Sequence, residues 1–426
     1  MKRILLLVIG ILLLVPAAIV GYELAHEPGR EEAAMPVVDQ SVQVARGEYL
    51  AKAGNCMACH TTRSGQAYAG GRAIDTPFGV IYSSNLTPDA ETGIGRWSAD
   101  DFWRALHNGK SRDGSFLYPA FPYPNYTKVT RADADALFAY INTIPPVRQP
   151  NRTNELRFPY NQRILLAFWR WLYFTPGTYQ PQAEQSAEWN RGAYLVQGLG
   201  HCSACHSSRT SLGGTTDKEL AGGLIPQLGW YAASLNADAG TGLGEWEKEE
   251  IAALLKTGVS ARGAVFGPMA EVVSGSLQHL AGEDIAAMAT YLKSFPATGA
   301  ARRSEPAIES AEAEVVLRQG AKLYETHCVE CHRADGKGIP PSYPPLAGNR
   351  SLAANPALNP IRMVLNGGYP PSTAGNPRPF GMPPFSTILN DSEVAAVVSY
   401  IRMSWGNQGT LVSPMDVARY RGAPIE

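Results

Sequence analysis

The sequence predicts a mainly α-helical chain of three tandem domains behind an N-terminal apolar segment, and three observations carry that prediction. One unit of sequence recurs three times along the chain. Each unit opens and closes on apolar residues at helical spacing. The one long apolar run stands at the N-terminus.

That run comes first. Lys2 and Arg3 precede the apolar stretch Ile4 to Val20, and a polar stretch, Glu23 to Glu32, follows it. This is the order of an export signal whose positive end stays in the cytoplasm. At about 17 residues the run is short for a spanning helix and long for a signal-peptide core. Pro16 sits in its only small-residue cluster and no A-x-A site is evident. The segment is cleaved or retained, and the missing site favours a retained anchor. Either way the rest of the chain is expected outside the cytoplasm.

The repeats follow. Arg46-Gly47-Glu48-Tyr49-Leu50, Arg191-Gly192-Ala193-Tyr194-Leu195 and Gln319-Gly320-Ala321-Lys322-Leu323 open the three units. Their closing segments are Ala136 to Ile141, Ala286 to Leu292 and Val394 to Ile401, with the acidic start signals Asp133, Glu283-Asp284 and Asp391. Each unit is therefore expected to hold a helix at either end with loops between, and the high content of glycine (42) and proline (32) suits small domains with long turns. The expected boundaries are 1–36 for the signal or anchor and linker, 37–150 for the first domain, 151–186 for an aromatic-rich connector, 187–296 for the second domain, 297–313 for a linker and 314–426 for the third. The connector carries Ile164 to Phe174, rich in Trp and Phe, which is too short to span a bilayer. It is expected to pack under the domains, to touch a membrane interface or to dock a partner. A formal net charge of −1 gives no sign of nucleic-acid binding.

Just after each opening stands a C-x-x-C-H motif: Cys56, Cys59 and His60; Cys202, Cys205 and His206; Cys328, Cys331 and His332. Two thiols at this spacing can add to the two vinyl groups of one haem, and the adjacent histidine then lies under the iron as its proximal ligand. Zinc would need a second ligand pair close in sequence, and these pairs lie more than 100 residues apart. A thioredoxin-like site would need a βαβ context that the sequence does not offer. Three haems c are expected.

The sixth iron ligand sets the redox character. Met382, in Gly381-Met382-Pro383-Pro384-Phe385, is poorly placed for a helix and well placed to face an iron, whereas Met363 and Met403 follow helical patterns. Met269, in Phe266-Gly267-Pro268-Met269-Ala270, stands at the matching place in the second unit, with Met288 as a core residue. The first unit breaks the pattern, with Phe121 where methionine is expected. Met57 lies inside the motif and Met35 far upstream, which leaves His107 as the candidate distal ligand of the first haem. Its alternatives are a solvent-facing histidine at a helix end, since the matching residues are Lys256 and Asn366, and an open haem. Asn85 and Asn236, with Trp97, Trp246 and Arg96, are candidate donors to haem propionates or simply loop caps.

These motifs, with Tyr118-Pro119-Ala120-Phe121-Pro122-Tyr123, Phe158-Pro159-Tyr160-Asn161 and Gly267-Pro268-Met269-Ala270-Glu271, resemble the tri-haem cytochrome c subunits of membrane-bound bacterial dehydrogenases for alcohol, gluconate, sorbitol and fructose. The resemblance covers nearly the whole chain after about residue 40. It implies three class I cytochrome c-like domains on the periplasmic side of the inner membrane. It implies a partner, the dehydrogenase catalytic subunit, as a quinoprotein, flavoprotein or molybdenum enzyme, with ubiquinone or an oxidase as acceptor. It also makes His60, His206 and His332 proximal ligands, and Met269 and Met382 distal ones. Phe121 departs from the family pattern and resembles the branch paired with molybdenum aldehyde or N-heterocycle oxidoreductases. The competing function is a haem enzyme, peroxidase-like or thiosulfate-oxidising, with an open first haem, although no acid–base constellation stands near that loop. A terminal-oxidase subunit would be expected to carry a longer spanning segment.

Overall fold

The structure, a computed structural model, describes residues 1–26, 39–216, 219–297 and 311–422, leaving aside the side chains of residues 2, 6–9, 11 and 13. Met35 and most of the expected linker 297–313 lie outside the described residues. The chain forms two compact units: residues 1–184 with 194–204 and 210–215, and residues 185–193 with 205–209 and 216–426.

In the first unit the apolar run lies within α1 (Lys2–Ala25), which includes Pro16. Among the described residues no helix is long and apolar enough to cross a membrane. The unit continues with α2 (Gln40–Ala53), α3 (Ala99–Asn108), α4 (Arg131–Ile141) and α5 (Leu166–Tyr173). Side chains start three of these helices where the sequence supplies a cap. The Asp39 carboxylate accepts from Ser41 N, Ser98 forms a capping box with Asp101, and Thr130 accepts from Asp133 N. Such a cap contributes about 1 kcal/mol. The helix pair expected at the ends of the repeat forms as α2 crosses α4. Gly47 marks the crossing, because a Cβ there would strike the Ala136 carbonyl oxygen.

Arg46, beside that glycine, bonds the buried Asp133 of α4 at 2.5 Å, and the Tyr194 hydroxyl donates to the same carboxylate at 2.5 Å. Asp133 is therefore more than a helix-start charge. The connector helix α5 packs one face, with Leu166 and Ala167 against Phe116 and, from α1, Val20. Its Arg170 is buried, paired with Glu23 of α1 at 2.8 Å and stacked over Phe174 at 4.7 Å. The other face leaves Trp171 and Leu172 exposed. A small antiparallel sheet, β1 (Ala73–Thr76), β2 (Gly79–Tyr82) and β3 (Glu155–Leu156), was not expected from the sequence. Strands of two to four residues are too short to show alternation.

The second unit takes α6 (Ala187–Gln197) as far as Ala193. It continues with β4 (Gly223–Ile225), β5 (Trp230–Ala232), α7 (Lys248–Thr257), α8 (Pro268–Gly275) and α9 (Gly282–Lys293). After these come α10 (Ala311–His327), α11 (Leu358–Asn366), α12 (Asp391–Met403) and α13 (Pro414–Arg421). The same crossing recurs twice. A Cβ on Gly192 would meet the Ala287 carbonyl of α9, and one on Gly320 the Ala396 carbonyl of α12. Arg191 grips Asp284 through two bonds of 2.7 Å. The third opening has Gln319 in place of arginine, and there Asp391 pairs with Arg421 of α13 at 2.5 Å. Met288 is 1% exposed and belongs to the core.

One difference separates the first two repeats. In the first, β3 extends the sheet, and the Asn154 side chain just before it accepts from Tyr82 N at 3.0 Å. In the second, β4 and β5 form a two-stranded sheet. Tyr231, at the matching place on β5, bonds the Asn359 side chain of α11 in both directions, at 2.9 and 2.8 Å. An asparagine of the third repeat thus serves the second.

Candidate haem sites

Each C-x-x-C-H motif folds into a helical turn: Cys56–His60, Ser203–His206 and Val329–His332. Left-handed residues lead into the first two, Asn55 at φ 50° and His201 at φ 38°. The six cysteines are thiols, none of them joined in a disulfide. Burial, reinforced by the second cysteine, pushes the Cys56 thiol up to about 12 and the Cys328 thiol up to about 11.

The three histidines share one geometry. Nδ1 of His60 lies 2.7 Å from the Ser84 carbonyl, that of His206 2.6 Å from the Ala233 carbonyl, and that of His332 3.1 Å from the Pro344 carbonyl. A carbonyl only accepts, so Nδ1 carries the proton and Nε2 keeps its lone pair. Burial lowers the pKa of all three, to about 4 for His206. The rings are neutral at physiological pH, oriented and ready to ligate through Nε2.

The distal candidates are placed differently. Met382 is half-buried beside the third core, and its segment is pinned to Gly368 by two backbone bonds of 2.8 and 3.0 Å. Met269 is half-buried in the first turn of α8, after Pro268 and the left-handed Gly267. Phe121, at the first repeat's methionine position, packs its ring 5.2 Å from that of Tyr126. Met57 is 49% exposed. His107 is not solvent-facing: it is 2% exposed, stacked on Trp103 at 4.4 Å, with Nδ1 3.5 Å from Thr127 Oγ1. Burial lowers its pKa to about 4. Lys256, its counterpart, reaches the carbonyls of Gln278 and Leu280.

Comparison with known proteins completes the site. The Cytochrome c family matches residues 44–145 and 317–405. The chain is 41% identical over 395 residues to the gluconate 2-dehydrogenase cytochrome c subunit of Pantoea cypripedii, covering 89% of each protein. It is 38% identical to the cytochrome c subunit of a quinone alcohol dehydrogenase from Gluconobacter oxydans, covering 90% of this chain and 83% of that one. The chain belongs to the cytochrome c subunits of dehydrogenases. It also shares 44% identity with a subunit of the nicotinate dehydrogenase of Pseudomonas putida over 84% of its own length, which is 30% of that longer protein.

The cytochrome c family implies haem c, and the residues present at the motifs fit it. The paired thiols and the lone pair on each histidine Nε2 are the donors that the group requires. At the second site Asn236 is 1% exposed and its Nδ2 has no hydrogen-bond partner among the described residues, so one donor is left for the cofactor. Asn85 is different: its amide is spent on Val147 O, Thr92 and Thr87, so it caps its loop. Trp246 is buried, whereas Arg96 is exposed.

Other residues at these sites escaped the sequence reading. Tyr126 is buried beside Cys56 and Cys59, with its ring 5.7 Å from His201, the residue before Cys202. Arg350 reaches the loop that holds His206. Neither belongs to a motif. No local signal in the sequence points to either.

Proposed function

We propose that the chain takes electrons from the catalytic subunit of a periplasmic dehydrogenase and relays them through three haems c to ubiquinone or a terminal oxidase. One observation carries this reading: a pair of cysteines outside any disulfide and a histidine with Nδ1 bound to a carbonyl occur together three times. A bound haem supplies an iron that takes up one electron and gives it away. Cys56 with Cys59, Cys202 with Cys205 and Cys328 with Cys331 hold the three groups in three tandem class I cytochrome c domains. His60, His206 and His332 are the proximal ligands, Met269 and Met382 the distal ones. His107 is carried as the candidate sixth ligand of the first haem, against the packing role that Trp103 and Thr127 give it.

Among quinoprotein, flavoprotein and molybdenum partners, we favour a molybdenum N-heterocycle oxidoreductase. Phe121 at the methionine position and the 44% identity to a nicotinate dehydrogenase subunit support that choice. Location at the periplasmic side of the inner membrane is supported by the apolar run Ile4 to Val20 behind Lys2 and Arg3. The exposed Trp171 and Leu172 of α5, whose other face meets the end of α1, fit an interface with lipid. Phe121 also favours one competing reading, a haem enzyme with an open first site.

A pyridine haemochrome assay on the matured chain should give three haems c per chain. The dithionite-reduced chain should be reoxidised by ubiquinone-1, with no turnover of peroxide or thiosulfate. Two haems or fewer would sink the architecture, and peroxide or thiosulfate turnover would establish the enzyme reading instead.

A further inference from the structure

A cation from the third repeat stands beside the second candidate site. Arg350 opens a short helical turn, Arg350–Ala353, capped by Asn349. Its Nη1 donates to the Ser234 carbonyl at 2.6 Å, from 116 residues away. Its guanidinium lies over the Trp246 ring, 5.0 Å from the centroid. The preceding carbonyl in the same loop, that of Ala233, accepts from His206 Nδ1 at 2.6 Å. Two consecutive carbonyls therefore hold the proximal imidazole and the guanidinium side by side. Arg350 is partly buried as a residue, and its guanidinium loses enough water for its own pKa to fall to about 10. Among the described residues no acid offsets that burial, and the group remains charged at neutral pH. The matching loop of the first repeat is met by a neutral side chain instead, since Asn85 N donates to Asn151 Oδ1 at 2.7 Å.

Oxidation of an iron adds a positive charge. A fixed cation next to the proximal ligand, in surroundings less polar than water, opposes that step. We propose that Arg350, carried by the third repeat, raises the reduction potential of the haem attached at Cys202 and Cys205. This rests on the three-haem reading above. It separates the second haem from the first by electrostatics that the second repeat does not encode itself.

The test uses the full, matured chain. Haems are counted by pyridine haemochrome, and the three couples are then resolved by spectroelectrochemical titration in wild type, Arg350→Gln and Arg350→Lys. In Arg350→Gln one couple should become harder to reduce by about tenfold, a shift of ~59 mV for a one-electron couple, while the other two stay in place. Arg350→Lys should recover most of that shift. Three haems with unmoved couples in Arg350→Gln would overturn the proposal. So would equal shifts in both variants, because a lost contact rather than a lost charge would then be responsible. If Arg350→Gln loses a haem, Arg350→Lys decides: a couple near the wild-type value upholds the role of charge, and one displaced tenfold refutes it. A wild-type count below three is instead a failure of the three-haem reading.

Discussion

Substituting Gly320 by alanine tests whether the paired helices fix haem attachment. The new methyl would fall on the Ala396 carbonyl oxygen and 2.7 Å from the Tyr400 Cβ. One obstacle is backbone of α12 and the other is a Cβ fixed to it, so no rotamer change clears them and the two helices must part. Overpacking of this kind costs about 1–3 kcal/mol, and a backbone obstacle places it near the upper end. Alanine returns about 1 kcal/mol through its better helix propensity. The net loss is about 2 kcal/mol, which for a domain of about 100 residues lowers Tm by roughly 8–16 °C. Thermal unfolding followed by far-ultraviolet circular dichroism measures it. Haem content is the second readout, because α10 ends at His327, next to Cys328. A Gly320→Ala protein as stable as wild type, or more stable as propensity alone would give, would refute the close crossing.

Met269→Ala and Met382→Ala should each remove one methionine–iron charge-transfer band and make one haem harder to reduce; an unchanged spectrum with unchanged midpoints would dismiss that ligand. In His107→Ala, electron paramagnetic resonance should show a low-spin signal turning high-spin if His107 ligates the first iron, and an unaltered low-spin signal would exclude it. Asp133→Ala removes the shared acceptor of Arg46 and Tyr194 and should cost about 1–3 kcal/mol. Urea unfolding should show this as a lower midpoint, and an unshifted midpoint would mean that the cluster adds nothing.

The helices at the ends of each repeat and the motifs between them were legible because their signals are local: apolar spacing, caps and a five-residue motif. Partners across the fold were not. The arginines that open the first two repeats read only as part of a repeated string, and nothing nearby announces that Asp133 and Asp284 receive them. The solvent-facing alternative for His107 rests on its counterparts Lys256 and Asn366, and the structure removes it. Its burial comes from Trp103 one turn earlier and from the loop at Thr127, which no alignment of repeats displays. The glycine of each opening was visible as a recurring letter, while its reason, a carbonyl of another helix, is a tertiary fact.

The unequal bracing of the two small sheets bears on how the chain is assembled in time. A polypeptide emerges N-terminal end first. Tyr82 meets its asparagine after 72 further residues, in the connector that directly follows its repeat, whereas Tyr231 must wait for one 128 residues downstream. Closing the longer loop costs more chain entropy and comes later in synthesis. The first sheet can therefore be braced while the second still waits for its partner. A designer who moved the second repeat alone into another protein would leave that brace behind.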